Sequence, residues 1–213
     1  MLTETASKIS PLSKTIAENL LDIGSIKFSI ENPFTWVSGI KSPIYCDNRK
    51  ICSNVKVRDI VIDAFVDLIK NNFAEVELIA GVATGGIPFG VLIADRMNLP
   101  FVYVRQAPKE HGLMKQVEGD FTPGQKVVLI EDHISTGGSS LKAVNGLRNE
   151  GLNLLALISV MTYGFRKADD LFKEANLEQW SLCDLLTAMD VALDSGKISS
   201  DDKETILKFK NQF

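Results

Sequence analysis

Four short apolar runs constrain this chain more than any other feature. They lie at 76–83 (VELIAGVA), 101–105 (FVYVR), 126–130 (KVVLI) and 154–161 (LLALISVM). Each is a continuous apolar stretch of strand length, as expected for a strand buried on both faces. Helical patterns at 88–97 and 137–149 separate them. Strands that alternate with helices pack as a parallel sheet covered on both sides. A weaker strand is expected at 180–183, with helices at 184–194 and 200–211 closing the chain.

Upstream, 54–73 reads as a helix with Val57, Ile60, Val61, Ala64, Phe65, Leu68 and Ile69 along one side. Ser10-Pro11 reads as an N-cap followed by proline at the first helical position. The helix it opens carries Ile16, Leu20, Leu21 and Ile23 and stops at Gly24. Between these helices, Pro33, Gly39, Pro43 and aromatics at 28, 34, 36 and 45 indicate short strands and turns. The expected fold is α/β, a doubly wound parallel sheet with a small N-terminal hood of mixed structure. The hood would span about 10–53, joined by the C-terminal helices, and the core about 54–175, all in one domain.

Composition excludes several classes of function. The 213 residues are 45% hydrophobic and 23% charged, enough to bury a core without a disulfide or metal staple. A net charge of -4 argues against a general nucleic-acid binder. No apolar run approaches the ~20 residues of a membrane helix, and the N-terminus lacks the basic-then-apolar pattern of a signal peptide. Cys46, Cys52 and Cys183 form no CxxC pair, which favours reduced thiols and a cytoplasmic location.

In open α/β sheets, ligands bind outside the carboxyl ends of the strands. Three loops fall there. The sharpest is VVLIEDHISTGGSS at 127–140: a buried strand, two adjacent acids, then glycines and hydroxyls opening a helix. A helix N-terminus leaves backbone N–H groups unpaired and carries partial positive charge, so it can cradle a phosphate. Glu131 and Asp132 would repel a phosphate, but they suit sugar hydroxyls or a metal ion. The combination matches a ribose 5-phosphate. The alternative is simple N-capping by Ser135 or Thr136.

The second loop, GVATGGIP at 81–88, again places glycines between strand and helix, either as an anion loop or as a tight packing turn. The third, RQAPKEHG at 105–112, opens a loop running over 106–124, long for a compact domain and therefore a functional candidate. Its Arg105, Lys109 and His111 could close over an anion; otherwise it is a solvated charged loop. No GxxxxGK[ST] and no GxGxxG after a strand is present, so neither a P-loop nor a nicotinamide site is supported.

Together these segments resemble the type I phosphoribosyltransferases. The 127–140 stretch is similar to that family's phosphoribosyl-pyrophosphate (PRPP) signature. FTWVSGIKSPIY at 34–45 resembles the FT-x-x-SG-x-x-SP-x-Y segment of the family's orotate branch, and 105–112 its catalytic loop. The resemblance covers about residues 10–166. It implies transfer of a phosphoribosyl group from PRPP to orotate, releasing pyrophosphate, with Mg2+ bound mainly through PRPP.

Carried over residue by residue, Glu131 and Asp132 would hold the ribose hydroxyls. PRPP would also meet His133, Ile134, Ser135, Thr136, Gly137, Gly138 and Ser139, with 135–139 around the 5'-phosphate and Ser135 also near orotate. Arg105, Lys109 and His111 would face pyrophosphate as the catalytic set, beside the 83–86 loop. A homodimer whose loops reach into neighbouring sites is implied, with no nucleic acid or membrane as partner.

The chain departs from the pattern where some members carry lysine at Val37 and Gln106, arginine at Thr162 and Tyr-Lys at Thr84-Gly85. Lys41 or Arg166 would then compensate, or base preference would differ. A purine-base enzyme and a non-catalytic RNA-binding regulator are the competing readings. The hood segment argues against the first, the acidic balance and Lys109 against the second.

Overall fold

The computed structural model describes residues 8–36, 39–107 and 115–213. Seven strands form one sheet in the order β1 (Lys8–Ile9), β11 (Gln179–Asp184), β10 (Asn153–Thr162), β9 (Lys126–Ile134), β6 (Leu78–Val82), β7 (Phe101–Val104) and β8 (Val117–Glu118). All pairings are parallel except β7 with β8.

Burial explains the unbroken apolar runs. Along β6 and β9, Leu78, Ala80, Val82, Val127 and Leu129 face one cluster. That cluster includes Ala143 and Leu147 of α5 (Gly138–Asn149) and Phe172 of α6 (Arg166–Glu174). Their sequence neighbours Ile79, Val128 and Ile130 face the opposite cluster, with Phe65 of α3 (Val55–Asn72) and Phe89 of α4 (Gly86–Met97). Every second residue therefore goes to a different apolar layer, and neither face can be polar.

The hood comprises α1 (Ser13–Asp22), β2 (Ile26–Phe28), β3 (Phe34–Thr35), β4 (Lys41–Ser42), β5 (Ile44–Cys46) and α2 (Arg49–Ser53). The strands β2 and β5, and β3 and β4, pair antiparallel. Gly24, at φ +64, ends α1 as expected. Gly24 N donates to Leu21 O and Ser25 N to Leu20 O, satisfying the last carbonyls. Asn54 caps α3 by accepting from Val57 N at 3.1 Å.

The C-terminal helices α7 (Leu185–Asp194) and α8 (Ser200–Lys210) complete the chain, and α7 packs on α1. From α8, Phe209 meets Trp36 edge-on at 6.0 Å. Phe213 stacks on Phe165 at 4.9 Å.

Three expectations need correction, and one helix is new. Ser10 does not cap α1: its hydroxyl accepts from Leu12 N, closing a turn before the helix, whose N-cap is Leu12. The third core strand does not end at 130; β9 runs through both acids to Ile134, held there by β10. The helix α6 lacked a sequence signal because only Ala168 and Phe172 are buried. The 106–124 stretch is not wholly irregular, since β8 returns it to the sheet edge beside β7.

Candidate active site

The chain crosses from β6 outward to β7 and later returns to β9 on the other side of β6. The crevice at the carboxyl ends of β6 and β9 is thus the switch point of the sheet, where ligands of such folds sit. A cavity of about 550 Å³ opens there. It is lined by Asp132, His133, Ser135 and Tyr163, by Thr84 and Gly85, and on the hood by Thr35, Trp36 and residues of the 45–49 stretch including Tyr45, Asp47 and Arg49.

The paired acids separate in placement. Asp132 reaches the cavity. Its Oδ1 accepts from His133 N at 2.9 Å, and its Oδ2 lies 3.1 Å from His133 Nδ1. Burial works against the charged form of Asp132, but His133 outweighs it and the carboxyl stays below its ordinary range. For His133, burial opposes protonation, and the Asp132 carboxylate reverses the balance and raises the imidazole's pKa.

Glu131 is not among the cavity residues. Only 4% exposed, it accepts from Ser140 Oγ at 3.1 Å and from Asp132 N at 3.2 Å. Burial first, then the charge of Asp132, pushes its pKa well up. A carboxyl raised in the folded state favours folding while it is protonated, and that contribution is lost as pH rises through the folded pKa. His133 gives a slope of the same sign. The difference between wild type and Glu131→Gln therefore isolates the carboxyl. Urea unfolding from mildly acidic to mildly alkaline pH should show wild type losing stability relative to Glu131→Gln; parallel curves would remove Glu131 as the titrating group.

After β9, Ser135 lines the cavity while the Ile134 side chain is buried, leaving Ile134 only its backbone to offer. Neither Ser135 nor Thr136 caps α5: the N-cap is Gly137, at φ +77, and no side chain bonds to it. A Cβ at Gly137 would meet Phe172 Cζ at 2.9 Å, so glycine is required on steric grounds as well. The first backbone bond of α5 runs from Leu141 N to Gly137 O. The amides of Gly138, Ser139 and Ser140 precede it and have no intrahelical acceptor, which is the donor set an anion needs.

Of the third loop, Lys109 and His111 lie outside the described residues, as does Val37. Arg105 is not among the cavity residues; its Nη1 lies 3.5 Å from Glu118 Oε1. Gln106 Nε2 donates to Ala83 O at 3.2 Å, tying the start of this loop to the 83–86 loop. Thr162 is buried and its hydroxyl accepts from Gly164 N.

Sequence reading missed Asn48, Arg49 and Tyr163. Asn48 is fully buried; its Nδ2 donates to Asp132 O at 2.6 Å and its Oδ1 accepts from Ser25 Oγ at 2.7 Å. It joins hood and signature segment, which are 84 residues apart. Trp36 meets Tyr163 edge-on at 5.3 Å, placing an indole and a phenol on neighbouring walls.

Fold and site define a phosphoribosyltransferase, and residues 50–182 match the family described as phosphoribosyl transferase domain. The chain is 49% identical over 195 residues to the orotate phosphoribosyltransferase of Bacteroides thetaiotaomicron, covering 92% of each. It superposes on the orotate phosphoribosyltransferase of Aeropyrum pernix with a TM-score of 0.74 at 28% identity, covering 86% of this chain and 99% of that one. An adenine phosphoribosyltransferase from Leishmania donovani shares the fold at a TM-score of 0.68 and 18% identity, covering 95% of this chain and 89% of that one. The chain belongs to the orotate phosphoribosyltransferase family.

Proposed function

We propose that this protein transfers the 5-phosphoribosyl group of PRPP to orotate, giving orotidine 5'-monophosphate and pyrophosphate in pyrimidine nucleotide synthesis. The observation that carries this is one cavity with Asp132, His133 and Ser135 on one wall and Trp36 and Tyr45 of the hood on the other. A sugar phosphate and a flat base can meet between those walls.

Asp132 accepts from ribose hydroxyls, and the ionised state favoured by His133 is the accepting one. The 135–139 segment holds the 5'-phosphate, through backbone amides at the start of α5 and through hydroxyls. Arg105, Lys109 and His111 meet the pyrophosphate. Positive charge grows on the ribose as pyrophosphate leaves, so cations on the departing oxygens lower the barrier. No protein nucleophile is needed.

Among the described residues, no group of three or more His, Cys, Asp or Glu could hold a metal. Mg2+ would be carried in on the substrate phosphates, with at most one or two protein carboxylates such as Asp132 beside it. Bound so, Mg2+ neutralises pyrophosphate charge. We place the reaction in the cytoplasm, in a homodimer; no described helix is long and apolar enough to cross a membrane.

A panel of bases with PRPP and Mg2+ tests the reading. Pyrophosphate should be released with orotate; release only with adenine or hypoxanthine would overturn it. Asp132→Asn should weaken PRPP binding about tenfold in calorimetry without base, because a charged acceptor is replaced by a neutral amide. Unaltered affinity would count against the ribose role.

A further inference from the structure

Orotate carries a carboxylate, and the cavity offers it two carboxylates, Asp47 and Asp132, as neighbours. An anionic base needs a cation there. Thr162 supplies none, being buried and turned to Gly164 N. Arg166 is 89% exposed on α6 and pairs with Asp170. The Lys41 ammonium is held by Thr35 Oγ1 at 2.6 Å on an exposed strand. Among the described cavity residues, the permanently charged cation is Arg49.

We infer that Arg49 is the specificity-determining residue for the base, its guanidinium receiving the base carboxylate while Asp47 sets its orientation. This rests on the orotate reading above. Arg49 Nε donates to Asp47 Oδ1 at 2.6 Å, and that bond holds the Asp47 carboxyl below its ordinary range. A guanidinium has five donors in a fixed plane, and fixing Nε leaves the Nη edge to meet a second carboxylate. Among the described residues neither Nη group makes a hydrogen bond, and the Asp132 charge also acts on the guanidinium.

The mount is firm although the side chain is 71% exposed. Arg49 opens α2 directly after Asn48, whose buried amide is bonded to Asp132 O. The root of the Arg49 side chain is therefore fixed relative to the sugar wall, and the Asp47 bond directs its guanidinium. A carboxylate-free base such as uracil would leave it without a partner, which gives discrimination as well as affinity.

Steady-state kinetics of the full chain with PRPP and Mg2+ provide the test, comparing orotate with uracil. Arg49→Gln should raise KM for orotate on the order of 10- to 100-fold, the worth of a charged hydrogen-bonded pair. KM for PRPP should be unchanged, and the preference for orotate over uracil should shrink by the same factor. Arg49→Lys, which keeps charge but loses the planar fork, should fall between, and it reads the same effect if Arg49→Gln does not fold. An unchanged KM for orotate, an equal rise in KM for PRPP, or an equal loss with uracil would overturn the assignment. So would Lys41→Gln carrying the loss in place of Arg49→Gln. Wild type that turns over no orotate would take down the proposed reaction and this assignment together. Wild type active on orotate beside an unaffected Arg49→Gln would take down only the latter.

Discussion

Replacing Lys109 with alanine should lower kcat by on the order of 100-fold or more while leaving KM for PRPP within the same range. The reason lies in when charge appears. Pyrophosphate bound in PRPP already carries negative charge, but more develops on the bridging oxygen as the glycosidic bond breaks. An ammonium placed against that oxygen acts mainly in the transition state, and its loss shows in kcat. The flanks of its segment are well placed for this. Gln106 is tied to Ala83 O, next to the cavity residue Thr84, and β8 returns the chain to the edge of β7. Rapid-quench kinetics would check that the chemical step itself has slowed; an unchanged kcat would remove Lys109 from the role. If the segment serves a neighbouring subunit, mixing Lys109→Ala with Asp132→Asn protein should restore activity through hybrid dimers. No recovery despite subunit exchange would place each site within one chain.

The second large effect is expected at Gly86. A methyl there would overlap the carbonyl oxygen of Ile130, a backbone atom in the middle of the sheet. β9 cannot readily yield, because Ile130 is paired on both sides, with Gly81 and with Ile158. Gly86→Ala should therefore cost about 3 kcal/mol, the upper end for forced overpacking. For a chain of this size that is a fall of roughly 6–12 °C in Tm. Gly138→Ala is the control: its Cβ would meet nothing within 4 Å, and Tm should hardly move. Equal melting of the Gly86 variant and wild type by calorimetry would show that the β6–α4 turn has room it is not seen to have.

The core strands were legible because burial on both faces leaves a run of apolar residues that needs no partner to be recognised. The end of β9 was not, because Glu131, Asp132 and His133 look like a loop until β10 is known to pair with them. The helix α6 presents mostly charge and only two buried side chains. The PRPP segment was readable because its chemistry is contiguous, an acid pair followed by a glycine-rich helix start. Asn48 and Arg49 were not, since their value lies in a contact spanning 84 residues, and one sequence carries no trace of such a contact. The same limit explains Glu131, which shares its neighbour's chemistry on paper yet points toward Ser140.

The Asn48 amide has a consequence for how substrates come and go. Its oxygen accepts a hydrogen bond from Ser25 Oγ within the hood, and its nitrogen donates one to the Asp132 carbonyl across the crevice. Swinging the hood away would break the bond to the Asp132 carbonyl, at roughly 0.5–1.5 kcal/mol net, while the Ser25 bond stays within the hood. An exchange of substrates that leaves the hood in place keeps this rivet between hood and acid segment intact.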